Sequence, residues 1–142
     1  MMDNRKMKLT IRGTQSGFGQ EECTEVTTVA DYFQKEKVHY LFYKEITEDG
    51  GEIRNRLTIR KGQVELRKDG NGRSVLEFCP GQNKNCHYQS PAGMLELLSD
   101  TRKLDFHHDA QGIRLTLDYS FYAQGTLLSD YHLVVTGQFL KG

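Results

Sequence analysis

The strongest constraint on the fold of this chain is the alternation of apolar and polar residues in short runs that glycines separate. In the run 53–60, Ile53, Leu57 and Ile59 fall on one face with Asn55, and charged or hydroxyl side chains fall on the other. A period of two is typical of a β-strand with one buried face. The chain has 14 glycines but only two prolines, and most glycines lie between the runs, as expected for successive hairpins.

Nine or ten strands are predicted in this way. The clearest are Lys6–Arg12, Glu22–Phe33, Val38–Thr47, Ile53–Arg60, Gln63–Lys68, Arg73–Cys79, Cys86–Ser90, Ile113–Tyr122 and Thr126–Phe139. Asp49-Gly50 and Asp69-Gly70 favour tight turns, because glycine and aspartate accept the backbone conformations of short hairpins. The stretch from Pro80 to Asn85 is predicted to be a polar loop.

The segment from Ser90 to Leu104 is compatible with two structures. Ser90-Pro91 is typical of a helix start, with serine as the cap and proline in the first turn. The alternation of Leu95 and Leu97 with Ser99 and Thr101 fits a strand equally well. The periodicity of these residues does not decide between them.

A meander of this length favours closure, because a closed barrel has no exposed strand edges. We therefore predict one all-β domain over residues 1–142, an antiparallel up-and-down β-barrel, with a β-sandwich as the alternative. A small barrel is either filled by its own side chains or holds one small ligand.

Composition argues against nucleic acids and membranes as partners of this chain. The chain carries 19 Lys and Arg and 19 Asp and Glu, whereas nucleic-acid-binding proteins usually carry a basic excess. Arg54, Arg56 and Arg60 share a strand face, but glutamates interleave with them. No apolar run approaches the roughly 20 residues of a membrane span. The polar N-terminus and the odd count of three cysteines favour a cytoplasmic location with reduced thiols. The sequence does not indicate an oligomeric state.

Alternation also places polar side chains inside the predicted barrel. If Leu41 faces inward, Tyr43 and Glu45 do so as well, leaving His39 and Lys44 on the opposite face. The candidate ligand-binding residues of the interior are Tyr43, Glu45, Asn55, Ser99, Thr101, Tyr119 and Tyr131. Buried polar groups need partners, so this set can bind a polar ligand or form an internal network. Glu45 is expected to bond hydroxyls such as that of Tyr43, or an arginine.

No catalytic or metal site is predicted. A general-acid role for Glu45 would need a second inward group, and none is evident. His107 and His108 are adjacent, as are Cys86 and His87, and neighbours on a strand point to opposite faces. These spacings do not suit a metal or a cysteine nucleophile, so the histidines are expected at the surface near strand ends, and no cofactor is predicted.

Several motifs resemble those of the YwiB-like family of bacterial proteins, whose function is unknown. They are Tyr40-x-x-Tyr43-x-Glu45, Gly70, Leu76-x-Phe78-x-x-Gly81, Tyr88-x-Ser90-x-x-Gly93 and Thr101. The resemblance implies a lipocalin-like (calycin) barrel with a strand over Gly93–Thr101. This chain departs from the family at Ser90, where threonine is usual, and at Ala92, where an aromatic residue is usual.

Three functions fit these observations. A barrel binding a small, partly polar ligand inside is the first. An interaction module that uses its rim or outer face around a filled interior is the alternative, and an enzyme is the third. An open cavity of a few hundred Å³ would favour the first of these.

Overall fold

The computed structural model describes residues 3–17, 19–70, 72–90 and 93–141. Ten antiparallel strands make up nearly all of these residues. They are β1 (Asp3–Gly17), β2 (Gln20–Lys35), β3 (Val38–Ile46), β4 (Glu52–Arg60), β5 (Gln63–Gly70), β6 (Gly72–Phe78), β7 (Asn83–Ser90), β8 (Gly93–His108), β9 (Gly112–Ala123) and β10 (Thr126–Phe139). In the part of the chain described, no helix is long and apolar enough to cross a membrane.

Each strand pairs with its neighbours in sequence, and β10 pairs with β1, so the sheet closes on itself. The predicted antiparallel up-and-down barrel is therefore confirmed. The backbones of β9 and β10 pack closely: a side chain at Gly112 of β9 would lie 1.8 Å from the carbonyl oxygen of Gly137 of β10. At Gly137 it would meet Met7 Sδ at 2.2 Å. Only glycine fits at position 112, where the obstacle is backbone, whereas a side chain at position 137 would require Met7 to move.

Large apolar side chains from every wall of the barrel fill its middle. The fully buried ones include Met7, Leu9, Leu41, Ile59, Val64, Phe78, Leu115, Leu117 and Val135. The alternation of β3 is as predicted, since Leu41 is fully buried whereas Phe42 on the next position is 40% exposed. This apolar layer separates the two ends of the barrel.

The ambiguous segment is a strand from Gly93 onward, which confirms the prediction for Gly93–Thr101. The strand continues to His108, beyond the predicted end, and bulges between Thr101 and Lys103. Pro91 and Ala92, which carried the helix-start signal and one departure from the family pattern, lie outside the described residues, as does the side chain of Ser90.

The prediction of a loop over Pro80–Asn85 was wrong for the second half of that stretch. β7 begins at Asn83, where the backbone pairs with Asp100 of β8. Polar residues dominate this stretch because their side chains face solvent, so composition hid a strand that backbone pairing stabilises. Pro80 and Gly81 also contact Thr101 through the backbone.

The sheet forks between β2 and β3. These strands pair only from Asp31 to Lys35 of β2 and from Val38 to Phe42 of β3. β2 continues away from the fork to Gln20 as a long hairpin with β1. The two strands therefore part where Asp31 pairs with Phe42.

Candidate functional site

The predicted interior residues fall into two groups. Tyr43, Glu45 and Asn55 lie together on β3 and β4, with Tyr43 opposite Asn55 in the register. The second group lies on β8, β9 and β10 and comprises Ser99, Thr101, Tyr119 and Tyr131. All of these side chains are buried except those of Glu45 and Tyr131, which are partly exposed. The structure does not assemble all seven around one cavity.

Glu45 accepts two hydrogen bonds near the end of β3. Asn55 Nδ2 donates to its Oε1 at 2.9 Å, and Lys68 Nζ donates to the same oxygen at 2.7 Å. The prediction that an arginine pairs with Glu45 was wrong, because the cation is Lys68 of β5. A sequence pattern could not locate this partner, since cross-strand register decides the contact. We call Glu45, Asn55 and Lys68 the glutamate end. The carboxylate is 33% exposed, so its charge is compensated beside solvent.

Tyr43 contributes a buried hydroxyl to this end. Burial raises the pKa of Tyr43 above its ordinary value, and the nearby carboxylate of Glu45 raises it further as the smaller cause. The phenol is thus neutral at physiological pH and can donate a hydrogen bond. Asn55 Oδ1, by contrast, is buried and has no hydrogen-bond partner among the described residues.

The second group forms an aromatic and hydroxyl lining. The rings of Tyr119 and Tyr131 stack with centroids 5.0 Å apart, and Phe78 lies 4.3 Å from Tyr119. Burial raises the pKa of Tyr119. Ser99 Oγ donates to the carbonyl of Glu77 at 2.6 Å. These contacts fill this part of the interior, although the buried hydroxyl of Thr101 has no hydrogen-bond partner among the described residues.

Cys86 belongs to the same lining. Its thiol is fully buried and accepts a hydrogen bond from Glu77 N at 3.3 Å. Burial raises the pKa of Cys86, so the reactive thiolate is disfavoured. Neighbouring His87 is exposed, so the two side chains diverge as strand geometry requires.

The prediction for His39 was wrong. It was placed on the face opposite Tyr43, at the surface, but it is 4% exposed and faces the interior. The physical reason is the period of the strand: His39 lies two positions before Leu41, so the two side chains must share a face. The signal was therefore present in the sequence, and the histidine's polarity obscured it.

His39 lies in an aromatic cluster at the other end of β3. Its ring is 4.8 Å from Phe106 and 4.6 Å from His108, measured between centroids. The hydroxyl of Tyr32 lies 2.5 Å from His39 Nδ1. Burial lowers the pKa of His39 from 6.5 to about 4, and the nearby His108 contributes to this shift as the smaller cause. The imidazole is therefore neutral at pH 7.

A cleft of about 620 Å³ opens above this cluster. We call it the histidine cleft. Its lining comes from β2, β3, β4, β8 and the turns β2–β3 and β4–β5, and consists of Gln34, Lys37, His39, Ile59, Arg60, Lys61, Gly62, Leu104, Asp105, Phe106, His107 and His108. His39 and Glu45 lie six residues apart on β3, so the histidine cleft and the glutamate end are about 20 Å from each other.

Cations dominate the rim of the histidine cleft. Lys37, Arg60 and Lys61 form no ion pair with any residue that the structure describes, whereas the single carboxylate, Asp105, is paired with Lys103 at 3.4 Å. In the same described residues, no three His, Cys, Asp or Glu side chains are grouped so that they could hold a metal ion. The cleft thus offers positive charge above an aromatic floor.

The fold and its contrasting ends define a closed antiparallel β-barrel with a charged cleft at one mouth. The family model described as a domain of unknown function, DUF1934, matches residues 9–135, so the chain belongs to that family. It is 23% identical over 122 residues to the uncharacterized beta-barrel protein YwiB of Bacillus subtilis (strain 168), covering 86% of this chain and 85% of that protein.

A solved structure shows the same fold. The crystal structure of the ywiB protein from Bacillus subtilis matches with a TM-score of 0.87 at 20% identity, covering 99% of this chain and 96% of that one. The resemblance to the YwiB-like family that the motifs indicated is therefore confirmed. The family carries no established function, so the functional argument depends on the geometry of this chain.

Proposed function

We propose that this protein binds a small ligand in the histidine cleft, and that the ligand combines an anionic group with a flat apolar part. The observation that carries the proposal is that cations forming no ion pair with any described residue lie above an aromatic floor. The cleft volume of about 620 Å³ is within the range of small-molecule sites. The site is at the mouth of the barrel because the middle is filled.

The charge of the rim supports an anionic group. Arg60 and Lys61 end β4 and begin the turn to β5, and Lys37 lies in the turn from β2 to β3. These side chains are exposed and can move to meet a ligand. Charge-assisted hydrogen bonds from arginine and lysine to a carboxylate, sulfonate or phosphate are stronger than neutral ones.

The floor supports a flat apolar part. Phe106 and His108 stack with an interplanar angle of 21°, and His39 tilts against both rings. A planar ligand can pack on such rings in offset or edge-to-face geometry. When Tyr32 donates to Nδ1, neutral His39 carries its proton on Nε2 and can donate it to a ligand oxygen.

We further propose that the protein acts in the cytoplasm. Its three free cysteines support a reducing compartment: Cys23 is exposed, Cys79 is half-buried and Cys86 is buried. Fractionation of the native host cells tests this location. Recovery with the periplasmic or secreted fraction would contradict it.

A fluorescent probe tests ligand binding. We expect 8-anilinonaphthalene-1-sulfonate, a flat aromatic anion, to bind one site saturably. Its neutral analogue N-phenyl-1-naphthylamine lacks the sulfonate and should bind at least about tenfold more weakly, because charged hydrogen bonds contribute about 1.5–3 kcal/mol each.

Matched variants locate the probe. The double variant Arg60→Ala/Lys61→Ala should weaken binding of the sulfonate about tenfold or more, while Arg12→Ala/Arg54→Ala removes two exposed cations elsewhere and should leave the affinity unchanged. Circular dichroism of each variant establishes that it is folded. Equal affinities for the two double variants would refute the histidine cleft as the binding site.

A further inference from the structure

The long β1–β2 hairpin leaves one strand edge open. Beyond the fork, β2 from Gln20 to Ala30 pairs with β1, and no other described strand pairs with it there. Its side chains from Gln20 to Thr27 are exposed on both faces of the hairpin. The backbone donors and acceptors on the side away from β1 therefore face solvent.

This edge lacks several of the features that usually protect an open strand. The stretch QEECTEVTTVA over residues 20–30 contains no lysine or proline, and its charged side chains are those of Glu21, Glu22 and Glu25. It is rich in threonine and valine, which favour pairing. Two of its apolar side chains are exposed, Val26 by 42% and Val29 by 55%. An edge of this composition is suited to accept another strand.

We propose that the open edge of β2 binds the same edge of a second copy, so that two barrels form a symmetric dimer with a continuous sheet. The pairing is antiparallel about a two-fold axis centred on Val26. Val26 then faces Val26 of the second copy, Glu25 faces Thr27, Thr24 faces Thr28 and Cys23 faces Val29. Identical patches meet in such an interface.

The register follows from geometry and charge. A two-fold axis perpendicular to the sheet keeps each residue on its own face, so one residue must lie opposite its own copy. Centring on Glu25 sets Glu25 against Glu25, and centring on Cys23 sets Glu21 against Glu25. Like charges directly opposite each other destabilise a sheet. Both registers are excluded on this ground.

Two longer registers avoid opposed glutamates, centred on Thr24 or on Val26. In the second, the pairing ends where Glu22 faces Ala30, because Asp31, which would face Glu21, already pairs with Phe42 of β3. The first sets Val26 against Glu22, which places an apolar side chain opposite a charge. The second sets valine against valine, and cross-strand apolar pairs stabilise a sheet. Arg12 forms an ion pair with Glu25 at 3.0 Å, so that carboxylate is compensated within its own copy. The Val26 register is the one the side chains favour.

Sedimentation over a protein concentration range tests the dimer. The wild-type protein should convert from monomer to dimer as its concentration rises. Val26→Lys sets two cations against each other at the axis and should weaken the dimer at least about tenfold. Val26→Thr keeps a β-branched side chain and is the matched control that should still dimerise. A wild-type protein that is monomeric throughout, or a dimer unaffected by Val26→Lys, would overturn the proposal.

Cysteine crosslinking tests the register itself. In a Cys23→Ser background, Val26→Cys should form an intermolecular disulfide, since directly paired strand residues have Cα atoms about 4.5–5.5 Å apart. Thr24→Cys in the same background should not, because Thr24 faces Thr28. Cys23→Ser alone controls for crosslinks through Cys79 or Cys86. Crosslinking at Thr24→Cys but not at Val26→Cys would mean that the proposed register is wrong.

Discussion

The two ends of the barrel differ in how far their charged side chains are compensated. At the glutamate end, Glu45 is bonded to both Lys68 and Asn55, so its charge is matched within the chain. At the histidine cleft, Arg60 and Lys61 have no matching carboxylate among the described residues, and the floor is made of neutral rings. An end whose charges are compensated within the chain therefore suits a structural role, and an end with uncompensated cations suits binding.

The largest effect on the free energy of unfolding is expected in the buried apolar layer between the two ends. Leu117 is fully buried and lies between Leu104 and Leu133 on neighbouring strands. Leu117→Ala should lower the free energy of unfolding by about 2–5 kcal/mol, because it removes apolar contacts and leaves a cavity. Denaturant unfolding monitored by circular dichroism measures the change.

The control for this variant is Leu127→Ala, since Leu127 is 45% exposed. It should change the free energy of unfolding by less than about 0.5 kcal/mol. Similar small effects for both variants would mean that the two ends are not separated by a packed layer.

His39 should make the stability depend on pH at the histidine cleft. Its pKa is about 4 in the folded protein and near 6.5 when unfolded, so the unfolded chain binds the proton more readily below pH 6.5. The contribution of neutral His39 is fully present above pH 6.5 and is lost as the pH falls towards 4. Between pH 7 and pH 5 the loss should be about 1–2 kcal/mol.

Comparing the wild-type protein with His39→Gln isolates the contribution of His39 to the pH dependence of stability. The change in unfolding free energy from pH 7 to pH 5 should be smaller in the variant than in the wild type, since glutamine does not titrate. His108→Ala should reduce the difference less, because burial is the larger cause of the shift. Parallel pH curves for wild type and His39→Gln would contradict the buried neutral imidazole.

The smallest effect is expected at the glutamate end. Glu45→Ala leaves Lys68 and Asn55 without their shared acceptor and should cost about 1 kcal/mol, at the low end for a lost charged partner because the pair is about one-third exposed. Glu45→Gln keeps a carbonyl acceptor and should cost less. Denaturant unfolding of both variants at pH 7 measures the difference.

Neither Glu45 variant should change the affinity for the naphthalene sulfonate probe, because the glutamate end is about 20 Å from the histidine cleft. A marked loss of affinity would mean that the two ends communicate or that the probe binds at the wrong end. Negligible and equal stability changes would show that the ion pair has no structural role.

Much of the fold could be predicted from local sequence. Alternation and glycine placement located most strands. The structure decides the inward face of β3, which the sequence had left open, by burying Leu41 and Tyr43. The stretch Asn83–Asn85 was missed, because its side chains are polar and only pairing with β8 makes it a strand. The extension of β8 through Phe106 to His108 was missed as well, and with it the floor of the histidine cleft.

The candidate site depended more heavily on tertiary structure. The interior position of His39 was available from its spacing to Leu41, but its polarity argued for the surface. The meeting of His39 with Phe106 and His108 joins β3 to β8, more than 60 residues further along the chain. The choice of Lys68 rather than an arginine as the partner of Glu45 likewise depends on the register between β4 and β5.

Local sequence is sufficient to predict an antiparallel meander with alternating faces, because the period of a strand and the conformational freedom of glycine act locally along the backbone. Tertiary contacts alone establish which ends of the strands meet, where cations gather with no ion pair to the described residues, and where the sheet forks to leave one edge of β2 open. These features arise from the register and closure of the barrel, which bring together residues whose spacing in the chain carries no signal of their contact.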